Sequence, residues 1–384
     1  MPLSLLQSLM HRARNVRSGS VPAAGEALPE LPVLPAPQLI QHELLIAGAE
    51  VVICEFASPA GNGVSQDAWL AVNSGLETGL LAVADGLGGH RAGGFASKLM
   101  IKKLCDAALR LQKSHPQLSL TDETSESAER RAPGWSELQV AVTEAIDSVN
   151  RELLRKGAGA ATTLAVVELR KGKIRTCHAG DTEVLVISQR GRIKYRTPAH
   201  SPVGYAQRSG LLSELQAMYS PDRHIVDNVI GTPELRIELG PRLELAPRDT
   251  VLIASDGLFD NIWNEELIEI VRKGALSVAV RQLAELASAR MVFAGVEEPH
   301  KPDDLTLIAF RMARVAASAQ RVSAQCFATT GDSANSPTAA SQPAATTRAS
   351  TNPGVPEESP EPAAGYDPVA TATPPFLQSH SQAN

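Results

Sequence analysis

Carboxylates at the ends of apolar segments are the feature of this sequence with the clearest chemical potential. The segment LLAVADGLGGH, residues 80–90, runs from five apolar residues straight into Asp85 and then into three glycines within four residues. The segment VLIASDGLFD repeats this order at Asp256. A strand end is a rigid mount for a ligand, and glycine lets backbone and bound ions approach closely. Both carboxylates are therefore candidates for a binding or catalytic site.

Three more places resemble these two. Asp67 precedes an apolar strand in GNGVSQDAWLAV, Asp181 lies in a Gly-Asp turn in CHAGDTEVLVI, and Asp303 precedes the strand of KPDDLTLIAF. If the five carboxylates met, each pair about 4 Å apart would repel by about 1 kcal/mol in water and about 4 kcal/mol in a protein-like medium. Cations or protons would have to intervene. Such all-oxygen clusters suit Mg²⁺ or Mn²⁺, and two such ions can clamp a phosphoryl group and activate water.

A plainer interpretation stands beside this one. A single Asp-Gly after a strand is more often only a turn, and spacing alone does not bring the five carboxylates together. Other phosphate or nucleophile motifs are not matched. The glycines after Asp85 fail G-x-G-x-x-G because Arg91 takes the last position, and no P-loop sequence is present. Ser255 fails the G-x-S-x-G elbow because Ile253 takes the first position.

Length and charge exclude some classes of protein. The chain has 384 residues and a formal net charge of −6. No apolar run approaches the roughly 18 residues of a membrane-spanning helix, so no membrane span is predicted. The mild acidity provides no basic face, so nucleic acid is not an expected partner.

The cysteines and the N-terminus bear on the cellular compartment. Cys54, Cys105, Cys177 and Cys326 lie far apart, with no C-x-x-C pair. This pattern predicts neither a disulfide framework nor a zinc site, and it is typical of core cysteines in a cytoplasmic protein. The N-terminal sequence MPLSLLQSLMHRARNVRSGS places its apolar residues before its arginines, the reverse of a secretory signal. We therefore expect a cytoplasmic location.

Composition divides the chain into three parts. Residues 1–40 are Pro-rich and residues 315–384 are rich in Ala, Ser, Thr and Pro. Neither segment carries enough apolar surface to offset the entropy of ordering, so both are predicted to be disordered. Residues 41–314 form the expected globular domain, which is close to the largest size for one core.

The order of elements within this domain predicts an α+β protein. Apolar segments and turn residues predict strands and helices in a sequence that does not alternate as βαβ units do. Residues 199–233 are irregular and form an expected flap. Strands are predicted over 50–57, 68–72, 79–84, 162–169, 173–179, 183–189, 192–196, LRIEL, TVLIAS and 305–312, and helices over 93–112, 135–156, 264–273 and 276–292.

The motifs, taken in order, resemble the metal-dependent protein phosphatases of type 2C in their bacterial form. Q-D, D-G-x-G-G-H, a strand with Thr162 and Thr163, G-D-[ST], S-D-G-L and D-[ND]-x-T follow one another from about residue 50 to residue 312. The resemblance implies a layered β-sandwich of two antiparallel sheets flanked by pairs of helices. It also implies hydrolysis of phosphoserine and phosphothreonine in proteins by a water that bridges two Mg²⁺ or Mn²⁺ ions.

The resemblance carries metal-binding roles onto particular residues. Asp85 would bridge both core ions, and the carbonyl of Gly86 would bind the second. Asp256 and Asp303 would complete the shell of the first ion. Asp67 would hold water near the second, which makes Asp67 and Asp85 the expected catalytic carboxylates.

Other residues have secondary roles under the same resemblance. Asp181 would bind a third, weaker ion. His90 would either orient phosphate or act as a general acid, or else serve a structural role. Asp304 would support the metal ligands without touching an ion, and His200 would cap a loop. Asp260 is interpreted only as a helix N-terminal residue.

One departure concerns the substrate. The family commonly places an arginine five residues before the Q-D aspartate to hold substrate phosphate, and Asn62 stands there. Arg91, Arg208 and Arg223 are the candidate substitutes.

Two rival functions stay open at this point. One is a catalytically weak domain of the same fold that binds phosphoproteins or senses a signal, and the other is a hydrolase of small phosphate esters. The expected partners of the enzyme are phosphorylated proteins made by a Ser/Thr kinase, and a monomer is expected.

Overall fold

The computed structural model describes residues 37–75, 77–87, 90–114, 135–157, 159–293, 298–312 and 326–329. All of them belong to one compact unit, Met1–Ser333, while the second unit, Ala334–Asn384, lies outside the described residues. Most of the two segments predicted to be disordered also lies outside them. Among the described helices, none is both long enough and apolar enough to cross a membrane.

The strands form two antiparallel sheets and a short ribbon. The first sheet contains, in spatial order, β1 (Ile40–Ile46), β2 (Ala49–Phe56), β14 (Leu305–Met312), β13 (Thr250–Ala254), β9 (Glu183–Ile187) and β10 (Ile193–Arg196). The second contains β11 (Glu238–Leu239), β8 (Lys173–Ala179), β7 (Leu164–Arg170), β4 (Thr78–Ala84), β3 (Ala68–Gly75) and β15 (Cys326–Ala328), with β12 (Leu243–Glu244) also on β8. The ribbon pairs β5 (Gly86–Leu87) with β6 (Ala161–Thr162).

The helices of the described residues lie in three groups. They are α1 (His90–Ser114), α2 (Trp135–Lys156), α3 (Pro202–Arg208), α4 (Glu214–Met218), α5 (Asp256–Phe259), α6 (Asn264–Val271) and α7 (Leu276–Val292). The α1 and α2 pair packs on the second sheet, and the α6 and α7 pair packs on the first. These layers confirm the predicted α+β sandwich flanked by helix pairs.

Period-two alternation explains the layering. Val51 and Ile53 of β2 enter the core between the sheets, whereas Val52 and Cys54 pack toward the α6 and α7 layer. Successive side chains of a strand point to opposite faces, so a strand covered on both faces must be apolar throughout. Both β4 and β13 are buried at every position. The uninterrupted apolar segments of the sequence are therefore strands in the middle of sheets.

The antiparallel register gathers the candidate residues at one end of the sandwich. Ala68 pairs with Ala84, so the residue before β3 and the residue after β4 are neighbours. Ala254 pairs with both Leu307 and Glu183, so the end of β13 lies beside the starts of β14 and β9. Asp67, Asp85, Asp181, Asp256 and Asp303 all flank these strand ends.

Several elements differ from the sequence-based expectation. β1 was not predicted because its alternating pattern is largely exposed and holds a weak apolar signal. The flap, predicted to be irregular, contains α3 and α4, each begun by a serine cap at Ser201 or Ser213. The strand predicted at LRIEL is reduced to the two residues of β11.

The cysteine prediction and part of the tail prediction are wrong. Cys105 of α1 and Cys326 of β15 form a disulfide, with their Cα atoms 6.5 Å apart. β15 pairs with β3, so three residues of the tail predicted to be disordered belong to the second sheet. A sequence separation of 221 residues gives no local signal for such a pair, because only the fold brings the two cysteines together. Cys54 and Cys177 are buried thiols, as predicted.

Candidate metal and active site

The ribbon that follows β4 fixes the backbone of Asp85. The Thr163 N–H and the Thr162 hydroxyl both donate to the Asp85 carbonyl, at 2.8 and 2.7 Å. The Asp85 N–H in turn donates to the Thr163 hydroxyl at 3.3 Å. Three hydrogen bonds therefore fix the backbone of Asp85, and this restricts the direction of its side chain. The two threonines therefore have a structural role beside the proposed ligands.

Gly86 permits a close approach between β5 and α1. A Cβ atom added at Gly86 would lie 2.3 Å from the carbonyl carbon and oxygen of Gly93. Such a contact is well inside van der Waals distance, and backbone atoms cannot yield as a flexible side chain would. The absence of a side chain at this position is therefore a packing requirement next to the candidate metal ligands.

Asp67 links the two sheets at the site. Its side chain is 1% exposed, and its Oδ2 accepts the Ser255 hydroxyl at 2.8 Å. The same hydroxyl accepts the N–H of Thr306 at 3.0 Å, which joins β3, β13 and β14 at one point. Asp67 Oδ1 has no hydrogen-bond partner among the described residues. One oxygen is anchored and the other is left for a ligand.

Asp304 orders the loop that leads to Asp67. Its Oδ1 accepts the N–H of Ser58 and its Oδ2 accepts the N–H of Gln66, both at 2.7 Å. Hydrogen bonds to a carboxylate are about twice as strong as neutral ones. Asp304 therefore supports the predicted ligands through the backbone, in agreement with its predicted supporting role.

A lysine that no sequence motif predicted lies inside the carboxylate cluster. Lys301 Nζ forms an ion pair with Asp256 Oδ2 and lies 2.9 Å from Asp260 Oδ2 and 3.3 Å from Asp303 Oδ2. The interpretation of Asp260 as only a helix N-terminal residue is wrong: it follows α5 and faces the cluster. Lys301 and Asp260 carry no motif of their own, so only the fold identifies them.

The carboxylates raise one another's pKa values. Burial raises the pKa of Asp85 well above its usual range, and Asp67, Asp256, Asp303 and Asp181 add to the effect. Such mutual effects require the five carboxylates to be close in space, which a set of unrelated turns would not achieve.

The neighbouring carboxylates respond in the same direction. Burial, then Asp304, raise the pKa of Asp67 far above normal. Burial, then Asp256, do the same to Asp181, and raise the pKa of Asp303 to about 7 although Lys301 opposes the shift. Buried carboxylates with raised pKa values demand protons or cations.

The flap is attached to the turn that carries Asp181. His200 Nδ1 accepts the Gly180 N–H at 3.1 Å, and the His200 N–H donates to the Gly180 carbonyl at 3.0 Å. The Asn228 amide also donates to His200 Nδ1, at 2.7 Å. These bonds confirm the loop-capping role of His200. The flap then covers a cleft whose lining includes Asp181, Asp256 and Asp260.

A second polar cluster lies behind the flap. His178 and His200 stack with ring centroids 4.5 Å apart, and His200 Nε2 lies 3.2 Å from Glu238 Oε2. His178 Nε2 donates to the Pro198 carbonyl at 2.9 Å. With His200 Nδ1 accepting two N–H groups, its Nε2 carries the proton and donates to Glu238. The cluster is therefore a hydrogen-bond network that holds the base of the flap.

The candidate phosphate-binding residues lie at different places relative to the cleft. Asn62 is exposed in the loop before Asp67 and accepts the Val64 N–H. Arg223 lines the cleft, with its guanidinium donating to the carbonyls of Met218 and His300. Arg208 is not among the described residues that line this cleft. The side chains of Arg91 and His90 lie outside the described residues, so the predicted role of His90 stays a prediction.

The donor set fits hard divalent cations. Every predicted ligand offers oxygen, and Asp67 Oδ1 and Asp256 Oδ1 are buried without a hydrogen-bond partner among the described residues. Nitrogen and sulfur ligands, which zinc and copper prefer, do not belong to the cluster as described. Mg²⁺ and Mn²⁺ favour this chemistry.

Comparison with known proteins agrees with the geometry. The profile of the family described as Protein phosphatase 2C matches residues 60–291, which is more than half of the chain. The chain belongs to the protein phosphatase 2C family. Enzymes of this family are metal-dependent, which is consistent with the carboxylate cluster of this 2C-type phosphatase.

Individual relatives come from several bacteria. A protein phosphatase 2C-type protein of Streptococcus pyogenes is 28% identical over 218 residues, covering 55% of this chain and 80% of the relative. The serine/threonine phosphatase stp of Listeria welshimeri is 29% identical, covering 50% of this chain and 71% of the relative. The crystal structure of the Ser-Thr phosphatase MsPP from Mycobacterium smegmatis superposes with a TM-score of 0.53 at 25% identity, covering 68% of this chain and 98% of MsPP.

Proposed function

We propose that this 2C-type phosphatase hydrolyses phosphoserine and phosphothreonine in proteins with Mn²⁺ or Mg²⁺ bound by its carboxylate cluster. The observation that supports this most strongly is the pair of buried oxygens, Asp67 Oδ1 and Asp256 Oδ1, that have no hydrogen-bond partner among the described residues. A buried carboxylate oxygen without a partner is costly unless a ligand satisfies it. The proposed ligands are Asp67, Asp85, the Gly86 carbonyl, Asp181, Asp256 and Asp303.

The chemistry of the ions explains why they are needed. Phosphate monoesters are among the slowest compounds to hydrolyse without a catalyst. Divalent ions in such a site make a strong nucleophile from water at neutral pH and neutralise charge on the phosphoryl group.

The residues of the chain have positioning tasks around those ions. Asp85 is affected by each of the other four carboxylates, and the ribbon fixes its backbone. Asp85, the Gly86 carbonyl, Asp256 and Asp303 would hold two core ions, and Asp181 would hold a third. Asp67, anchored by Ser255, would orient water toward the phosphoryl group.

Substrate phosphate is proposed to be held at the flap side of the cleft. Arg223 lines this cleft and carries a positive charge near Asp260. It replaces the arginine that the family commonly has where Asn62 stands. His90, at the start of α1, is the second proposed contact. The Arg223→Ala variant should therefore raise KM for a phosphopeptide more than it lowers kcat.

Phosphate release from two substrates tests the proposal. A phosphothreonine peptide and p-nitrophenyl phosphate are each incubated with the protein in Mn²⁺ or in EDTA. We expect Mn²⁺-dependent release from the peptide and a loss of roughly 10³-fold or more in Asp85→Asn. The matched control is Asp106→Asn, which alters a partly exposed carboxylate of α1 that pairs with Lys102, and it should behave as wild type.

The same assay separates the rival functions. Release from p-nitrophenyl phosphate but not from the peptide would indicate a hydrolase of small esters. Peptide binding without release would indicate a catalytically weak phosphoprotein-binding domain. Absence of Mn²⁺-dependent release from both substrates would reject both enzyme functions.

The proposal also includes the bounds of the domain, its partners, its location and its oligomeric state. The phosphatase domain is proposed to span 41–314, with residues 326–329 added to its second sheet. Phosphorylated products of a Ser/Thr kinase are the proposed partners, the cytoplasm is the proposed location, and a monomer is the proposed state.

A further inference from the structure

The segment before β14 presents Lys301 to the cluster in a fixed position. The Lys301 N–H donates to Asn261 Oδ1 at 2.8 Å, and the Asn261 amide donates to the Lys301 carbonyl at 2.9 Å. Asn261 is fully buried, and its amide also donates to the Gly257 carbonyl at 2.9 Å. The Lys301 backbone is therefore clamped on both sides to the segment that follows Asp256. These bonds hold the Lys301 ammonium within the site.

The ammonium contacts two of the carboxylates that metal ligation would use. Lys301 is paired with Asp256 and Asp303, both proposed ligands, and its side chain is only 18% exposed. A lysine ammonium is a cation at neutral pH. The ammonium and a divalent ion would therefore compete for the negative charge of the same two carboxylates.

The third carboxylate gives the ammonium an alternative partner. Asp260 lies 2.9 Å from Lys301 Nζ and is not among the proposed metal ligands. When an ion takes Asp256 and Asp303, the ammonium retains Asp260 without leaving the cluster. Lys301 would then pair with all three carboxylates when the metal site is empty, and with Asp260 when the site is filled.

We propose that Lys301 is a tethered cation that competes with divalent metal for Asp256 and Asp303. This inference rests on the proposed metal site. The lysine neutralises the carboxylates when no ion is bound, and an ion that binds Asp256 and Asp303 must compete with its charge. Lys301 therefore lowers the metal affinity of this phosphatase and stabilises its metal-free form.

Removal of the charge tests the competition. Mn²⁺ binding to wild type and to Lys301→Met is measured by calorimetry with MnCl₂ alone, because methionine keeps much of the length of lysine. We expect the affinity of one Mn²⁺ site to rise by about 10-fold or more, within the 5–150-fold range typical of coupled binding. Lys301→Arg keeps the charge and should bind Mn²⁺ with an affinity close to that of wild type.

Thermal unfolding supplies an independent readout. In EDTA, Lys301→Met should have a lower Tm than wild type, because the carboxylates then repel one another without a counter-charge. At saturating Mn²⁺ the difference should disappear. The control is Lys194→Met, whose lysine pairs with Asp249 at 2.5 Å at the far end of β13. That variant should lose the same amount of Tm in EDTA and in Mn²⁺.

Two results would overturn the inference. One is a Mn²⁺ affinity in Lys301→Met that equals or falls below that of wild type. The other is a Tm loss that persists unchanged at saturating Mn²⁺, which would make Lys301 a structural ion pair. If wild type itself binds no Mn²⁺, the proposed function fails as well. If wild type binds Mn²⁺ and releases phosphate while Lys301→Met binds no tighter, only this inference fails.

Discussion

Asp304 accepts the backbone N–H of Gln66 at 2.7 Å, across 238 residues of sequence. This single contact fixes the residue immediately before Asp67 to the residue immediately after Asp303. Two proposed ligands from opposite sheets are thereby held in one frame. Asp304 therefore positions the proposed metal ligands through the backbone. Mutation can separate this positioning role from direct binding of a metal ion.

We expect Asp304→Ala to destabilise the protein by about 3 kcal/mol, because the N–H groups of Ser58 and Gln66 lose their charged acceptor. Asp304→Asn keeps one acceptor oxygen and should cost roughly half as much. Urea unfolding in EDTA measures both values. Mn²⁺ affinity should fall in proportion to the stability loss; an affinity loss in Asp304→Asn as deep as in Asp85→Asn would instead identify Asp304 as a direct ligand.

Gly86→Ala should lower stability by about 1–3 kcal/mol, because the new methyl group meets the Gly93 carbonyl and forces α1 away from β5. Mn²⁺ affinity should fall with it. The matched control is Gly94→Ala in the same helix, where the nearest atom would lie at an ordinary 3.7 Å. That variant should be neutral or more stable, since alanine favours a helix. Equal Tm values for the two variants would contradict the packing argument.

Reduction of the Cys105–Cys326 disulfide should cost about 2–4 kcal/mol of stability. Under oxidising conditions Cys105→Ser should have the lower Tm, and a reductant should bring wild type down to the same value. Cys177→Ser, which alters a buried thiol, should keep its Tm difference from wild type in both conditions. Electrophoresis without reductant should show faster migration of wild type than of Cys105→Ser; identical migration would show that the two cysteines are not joined.

His178 should make stability depend on pH. Burial, and then His200, lower its pKa to about 4 from an unfolded value of about 6.5. Between these values the unfolded chain binds a proton that the folded chain does not. Stability should therefore fall by about 3 kcal/mol as pH drops from about 6.5 to about 4, and change little from this group below that.

The variant His178→Gln tests this dependence. Its amide can still donate to the Pro198 carbonyl but cannot titrate. Denaturant unfolding at several pH values should show a shallower slope for this variant than for wild type. Parallel slopes would assign the acid sensitivity to other groups.

Much of the fold was accessible from the sequence, because the strands at the centre of each sheet are apolar at every position. The segments of β4 and β13 admit few other interpretations, and Lys171–Gly172 marks a hairpin with both residues at positive φ. The edge strand β1 was missed because its alternation is weak and half exposed.

The site was accessible where it depends on motifs and was hidden where it depends on long-range contacts. The carboxylates at strand ends could be predicted because each lies next to an apolar segment. Lys301 does not lie next to an apolar segment, and nothing near Asp260 in the sequence distinguishes it from a helix-terminal residue. Cys105 and Cys326 meet only because β15 joins β3. Each of these missed features is a contact between segments far apart in sequence.

The hairpin at Lys171–Gly172 lies seven residues of β7 away from the end that carries Asp85 and Thr163. At about 3.3 Å per residue, roughly 20 Å of strand separates it from the carboxylates. A segment inserted at this turn would leave every proposed ligand on its own strand end. The same turn is a suitable place to graft a fluorescent reporter without disturbing catalysis.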